Sequence, residues 1–131
     1  MQINITEMGF IRVASVSPEL RVADIEFNNT LISQSIQKAE KANVNIIVFP
    51  EMCITGYTCG DLFFQKLLLD NAIESVLNLA KAHSKSKIIS IVGAPIQISD
   101  KIYNAAFILQ NGKILGIVPK TYLPNNAEFY E

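Results

Sequence analysis
The chain has 131 residues, of which 50% are hydrophobic and 18% charged, which fits one folded domain or a piece of a larger protein and excludes a disordered segment. Eleven Lys and Arg stand against 12 Asp and Glu, a formal net charge of −1, and the basic residues form no block, so neither a nucleic-acid partner nor an anionic membrane is indicated. The start MQINITEMGF lacks the basic segment and long apolar run of a signal peptide, and the apolar runs are strand-sized, so the expectation is a cytoplasmic protein.

Apolar runs alternate with helical spacing along the chain. Residues 10–16, FIRVASV, read as a strand closed by Pro18. Asp24 is placed to cap a helix with Ile25, Ile32, Ile36 and Ala39 on one face, and Asn43 ends it. Residues 45–49, NIIVF, are a dry strand that runs straight into Pro50-Glu51. Gly56 and Gly60 bracket a loop. Helical spacing then returns from Asp61 to about His83, with Leu62, Leu69, Ile73, Val76 and Ala80 on the apolar face. KIISIVG (87–93) reads as a third strand, with Gly93-Ala94-Pro95 a tight turn at its end where chains pass closely. IYNAAFIL (102–109) and KILGIV (113–118) are a fourth and fifth strand joined through the hairpin signal Asn111-Gly112. The tail TYLPNNAEFYE is loop-like.

This order is an α/β layout, and in such sheets reactive groups gather beyond the carboxyl ends of the strands. Glu51 and Lys120 both lie just past a strand. A carboxylate held beside a cation suits a general base, and a lysine suits an oxyanion. The same two residues also fit a structural ion pair or two solvated strand ends. Cys53 and Cys59 have no histidine in a local motif, and their spacing is not that of a zinc site, so both read as structural thiols in a reducing compartment. The single histidine, His83, falls at a helix end and reads as exposed. Tyr57 fits packing and a pocket mouth equally well. The abrupt end at Glu131 leaves an apolar sheet face or edge without cover, so a longer parent protein is expected.

VFPEMCITGY resembles the first catalytic segment of the nitrilase, or carbon–nitrogen hydrolase, superfamily: a dry strand, Pro-Glu, and a short loop ending in Gly-Tyr. GIVPKTYLP is similar to the second segment, with its lysine after a strand, and IVGAP and IYNAAFILQNGKILG match the strands between. The register holds from about Phe10 to Glu131. Within the superfamily, GYTCGDLFFQKLLLDNA and PKTYLPNNAEFYE are similar to the N-terminal glutaminase domains of glutamine-dependent NAD(+) synthetases.

The resemblance implies an α-β-β-α sandwich of which residues 1–131 are the N-terminal part, incomplete at its C-terminus. It implies a Glu-Lys-Cys triad with Glu51 as general base and Lys120 steadying the tetrahedral intermediate. The cysteine nucleophile would come from a later strand that this sequence does not reach, and neither Cys53 nor Cys59 takes its place. Glu128 matches a second active-site glutamate, and Tyr57 a residue of the glutamine pocket. The implied substrate is glutamine. Its ammonia would pass to a C-terminal synthetase domain, absent here, that uses ATP and Mg to amidate nicotinic acid adenine dinucleotide. No cofactor or metal is implied for this domain itself. A homo-oligomer is implied at full length, and the 131-residue piece alone is expected to be inactive. The rival readings are a piece of a free-standing amidase or carbamoylase, and a short non-catalytic binding module.

Overall fold
The computed structural model describes residues 5–126 and 129–130. A 3-10 turn (Ile5–Met8) leads into β1 (Val13–Ser15), α1 (Ile25–Lys41) and β2 (Ile46–Val48). A second 3-10 turn (Gly60–Phe64) precedes α2 (Lys66–Ala82), β3 (Ile89–Ile98), β4 (Lys101–Gln110) and β5 (Lys113–Pro119). Two short strands, β6 (Asn125–Asn126) and β7 (Phe129–Tyr130), pair with each other.

The main sheet has the order β1-β2-β3-β4-β5. β1, β2 and β3 are parallel, and β4 and β5 return antiparallel. Successive crossovers that advance in one direction put their helices on one face when both are right-handed, and α1 and α2 do touch. Ile32 and Ile36 of α1 and Val76 and Leu79 of α2 are at most 2% exposed and pack with Ile47, Val92, Ala94, Ala105, Phe107 and Leu109 of the sheet. Burial of each large side chain here contributes about 1.5–3 kcal/mol. Much of the opposite sheet face is open: Val13, Val48 and Val118 are 63%, 39% and 58% exposed. Among the described residues no helix is long and apolar enough to cross a membrane.

Local chemistry explains the element ends. Asp24 caps α1 by accepting from the Phe27 N–H at 3.1 Å. Asn43 ends the same unit with φ 55. At the hairpin, Asn111 (φ 52) and Gly112 (φ 77) are both left-handed, as a two-residue turn matched to strand twist requires.

Several expectations change, among them the loop-like tail, which carries the paired strands β6 and β7. The first strand is three residues and not seven, because β1 pairs only with the equally short β2, and the Phe10 N–H instead bonds Ile5 O at 3.2 Å. The helix expected from Asp61 is two pieces, broken at Gln65, whose backbone is extended (ψ 116). The first piece buries no residue, so nothing holds it in line with α2. The third strand does not turn at Gly93-Ala94-Pro95 but continues to Ile98, paired with β4 throughout. Pro95 is tolerated because its missing N–H falls on the side where β2 has already ended.

His83 is not the exposed residue expected. It is partly buried at the end of α2, with Nε2 2.9 Å from Ser33 Oγ of α1. Burial lowers its pKa from the ordinary 6.5, and the opposing pull of Glu40 is smaller. The unfolded chain therefore takes up a proton at higher pH than the folded one. The His83 contribution is complete above 6.5 and is lost as pH falls through the lower folded value. The thermal midpoint should drop as pH falls below 6.5, and H83Q should flatten that drop in a calorimetric pH series.

Candidate active site
The dry strand β2 gains one further step when the Phe49 N–H bonds Ile91 O at 3.0 Å, and Pro50 then ends the pairing. The chain folds into a tight turn in which Met52 is left-handed (φ 54) and its carbonyl accepts from Thr55 at 3.2 Å and Gly56 at 2.8 Å. The turn lies directly on β3. Ile54 N–H donates to Gly93 O at 3.1 Å, and Gly93 N–H donates to Cys53 Sγ at 3.3 Å. A Cβ on residue 93 would sit 2.5 Å from Met52 N and 2.7 Å from Glu51 Cα, so glycine is required there.

The strand order gives the reason. β5 runs parallel to β2, so Glu51 and Lys120 leave the sheet at the same rim. Three strand spacings, roughly 14 Å, separate β2 from β5. The Glu51 turn spans this gap by crossing over β3 where it has no side chain.

A second brace comes from the segment before α1. Ala23 N–H donates to Thr55 O at 2.7 Å. Asn28, fully buried, accepts from Arg21 N at 2.7 Å and donates to Arg21 O at 2.8 Å and Ile54 O at 3.0 Å. Its amide satisfies buried backbone groups on two loops that would otherwise be unpaired.

Lys120 follows β5 directly, and its N–H bonds Asn104 O of β4 at 2.8 Å. Its ammonium donates to Glu51 Oε2 at 3.0 Å, and the Asn104 side-chain amide donates to the same oxygen at 2.8 Å. The two charged side chains are 28% and 49% exposed. An ion pair this wet contributes about 0–1 kcal/mol to stability, too little to account for a turn built with a left-handed residue and an obligatory glycine.

The structure thus brings Glu51 and Lys120 together. Tyr57 is partly buried in the loop that follows, and it is not among the described side chains that bond the Glu51 carboxylate. Glu128 lies outside the described residues. Cys53 and Cys59 are buried free thiols. Burial pushes Cys53 up to about 11 and raises Cys59 as well, and Cys59 points its thiol at Thr55 O and Gly56 O. Both are built into the turn's underside and are poor nucleophiles. Among the described residues no three His, Cys, Asp or Glu side chains cluster as a metal ion needs.

Residues 12–131 match the carbon-nitrogen hydrolase family model. The chain belongs to the carbon-nitrogen hydrolase family. It is 34% identical over 128 residues to the glutamine-dependent NAD(+) synthetase of Mycobacterium leprae, covering 98% of this chain and 19% of that protein. The synthetase of Mycobacterium tuberculosis is 33% identical over 123 residues, with 94% and 18% covered. Among solved structures, a glutamine-dependent NAD(+) synthetase from Cytophaga hutchinsonii superposes with TM-score 0.87 at 33% identity, over 92% of this chain and 20% of that one. An amidase from Nesterenkonia matches with TM-score 0.75 at 19% identity, which shows shared fold alone. The chain therefore has the mixed α/β nitrilase fold over part of its length, is related to the N-terminal part of these synthetases, and spans about a fifth of their length.

Gly93→Ala tests the crossing. The added methyl meets backbone and not a flexible side chain end, so the turn must move. A loss of roughly 1–3 kcal/mol in denaturant unfolding is expected. A crystal structure of the variant should show Glu51 Oε2 displaced from Lys120 Nζ.

Proposed function
We propose that this domain supplies the base and the oxyanion-stabilising cation of a glutaminase site, within a protein that uses the released ammonia to amidate nicotinic acid adenine dinucleotide. The observation that carries the reading is the 3.0 Å approach of Lys120 Nζ to Glu51 Oε2 at the carboxyl rim of the sheet. The relatives named as glutamine-dependent NAD(+) synthetases support glutamine as the substrate.

The chemistry needs a thiol that neither Cys53 nor Cys59 provides, so the nucleophile belongs to a segment outside these 131 residues. Glu51 takes the thiol proton as sulfur attacks the side-chain amide carbon of glutamine. Lys120 steadies the negative charge that develops on the carbonyl oxygen. The carbon–nitrogen bond then breaks, and Glu51 returns the proton to the departing nitrogen, which leaves as ammonia. Water next attacks the thioester and gives its proton to Glu51. Glutamate leaves, the proton returns to sulfur, and the free thiol is restored. Tyr57 and Glu128 would contribute to holding the glutamine, and ATP with Mg would act in a separate synthetase domain.

Ammonia release from glutamine by the intact gene product tests the reading. Glu51→Gln should lower kcat by about 10²–10⁴-fold and Lys120→Ala by about 10²–10³-fold. The 131-residue chain alone should release none. An intact protein that leaves glutamine untouched while hydrolysing simple amides would replace this reading with that of an amidase.

A further inference from the structure
The functional reading leaves Asn104 without a task, although it touches both charged residues. It stands on β4 opposite Pro95, on the same side of the strand as Ala106 and Ile108, in an otherwise apolar run. Its backbone carbonyl accepts from the Lys120 N–H at 2.8 Å, and its side-chain amide donates to Glu51 Oε2 at 2.8 Å. One residue of a regular strand therefore fixes where Lys120 leaves the sheet and how the Glu51 carboxylate is turned. Among the described residues, both hydrogen bonds to that carboxylate land on Oε2 and neither on Oε1.

We propose that Asn104 is a positioning residue for the glutaminase reaction: with Lys120 it pins Oε2, so that Oε1 is the oxygen that exchanges protons with the nucleophile and the leaving nitrogen. The inference rests on Glu51 acting as the base. A carboxylate free to rotate presents either oxygen, and two donors on one oxygen remove that symmetry. The amide is needed beside the ammonium because Lys120 has two duties. Its charge sits on a flexible four-carbon stem and is shared with the developing oxyanion. When it turns toward that oxyanion, the short, planar Asn104 amide still holds Oε2. The proton that Oε1 takes from the thiol is the one it returns to the departing nitrogen, so the carboxylate is regenerated without turning over.

The test is steady-state glutaminase kinetics on the intact gene product with Asn104→Ala and Asn104→Asp. Loss of a group that orients a reacting atom costs up to about 10²-fold, so N104A should lower kcat by about 10- to 100-fold with KM within about twofold. N104D keeps the shape but removes the donor and sets a second carboxylate against Glu51, so its kcat should fall at least as far. A second readout does not depend on those variants folding. In protein labelled with 15N-asparagine, Glu51→Gln should shift the side-chain amide signal of Asn104. An E51Q variant that abolishes activity beside an N104A variant with unchanged kcat overturns the inference alone, as does an Asn104 signal that ignores E51Q. A fall in N104A that appears in KM and not in kcat also overturns it. Wild-type protein that releases no ammonia, or E51Q protein that retains the activity, overturns the functional reading and this inference together.

Discussion

Residue 93 has no side chain because the backbone of Glu51 and Met52 occupies the place where one would be. Most of the site follows from that contact. β2 and β5 are not neighbours, so a carboxylate after one and an ammonium after the other meet only if one chain crosses the strands between. The crossing is made on β3 at Gly93, whose N–H and carbonyl are both taken up by the turn, through Cys53 Sγ and Ile54 N. Pro95 follows two residues later, has no N–H to donate on that side, and is itself fully buried.

The turn is held from two directions by groups whose role is to satisfy backbone. Cys53 is best understood as a soft, buried acceptor and not as a thiol in reserve, since its burial opposes ionisation. Asn28 binds the loop before α1 to the loop after Glu51, so the helix layer and the site share one hydrogen-bonded seam. Against this rigid support the two charged groups stay partly wet. That combination suits groups that must meet a substrate, and it contributes little to the stability of the domain.

Much of this was legible in the sequence where the signal was local. The dry run 45–49, the cap at Asp24 and the Asn111-Gly112 turn each carry their cause within a few residues; the cap and the turn appear as expected, and the run forms the shorter strand Ile46–Val48. The glutamate and the lysine were visible because each breaks an apolar pattern at a strand end. The parts that were not legible are those decided by distant partners. Gly93-Ala94-Pro95 has the composition of a turn, but pairing with β4 keeps it extended. FIRV has strand propensity but no strand long enough beside it. Asn104 is a single polar residue in an apolar run, and Asn28 is one of two adjacent asparagines in a polar stretch of α1; neither pattern says what the residue would bind. His83 looked solvated because nothing in the chain places Ser33 of α1 beside it.

The proposed function makes Glu51 and Lys120 one unit in the chemistry of glutamine hydrolysis. A double-mutant cycle read in kcat/KM of the intact protein, using Glu51→Gln, Lys120→Met and the pair together, tests it most directly. Groups that serve the same step lose activity non-additively, so the double variant should be little worse than the more damaged single variant. Losses that simply multiply would mean that the 3.0 Å contact joins two independent residues, and the site described here would not be a catalytic unit.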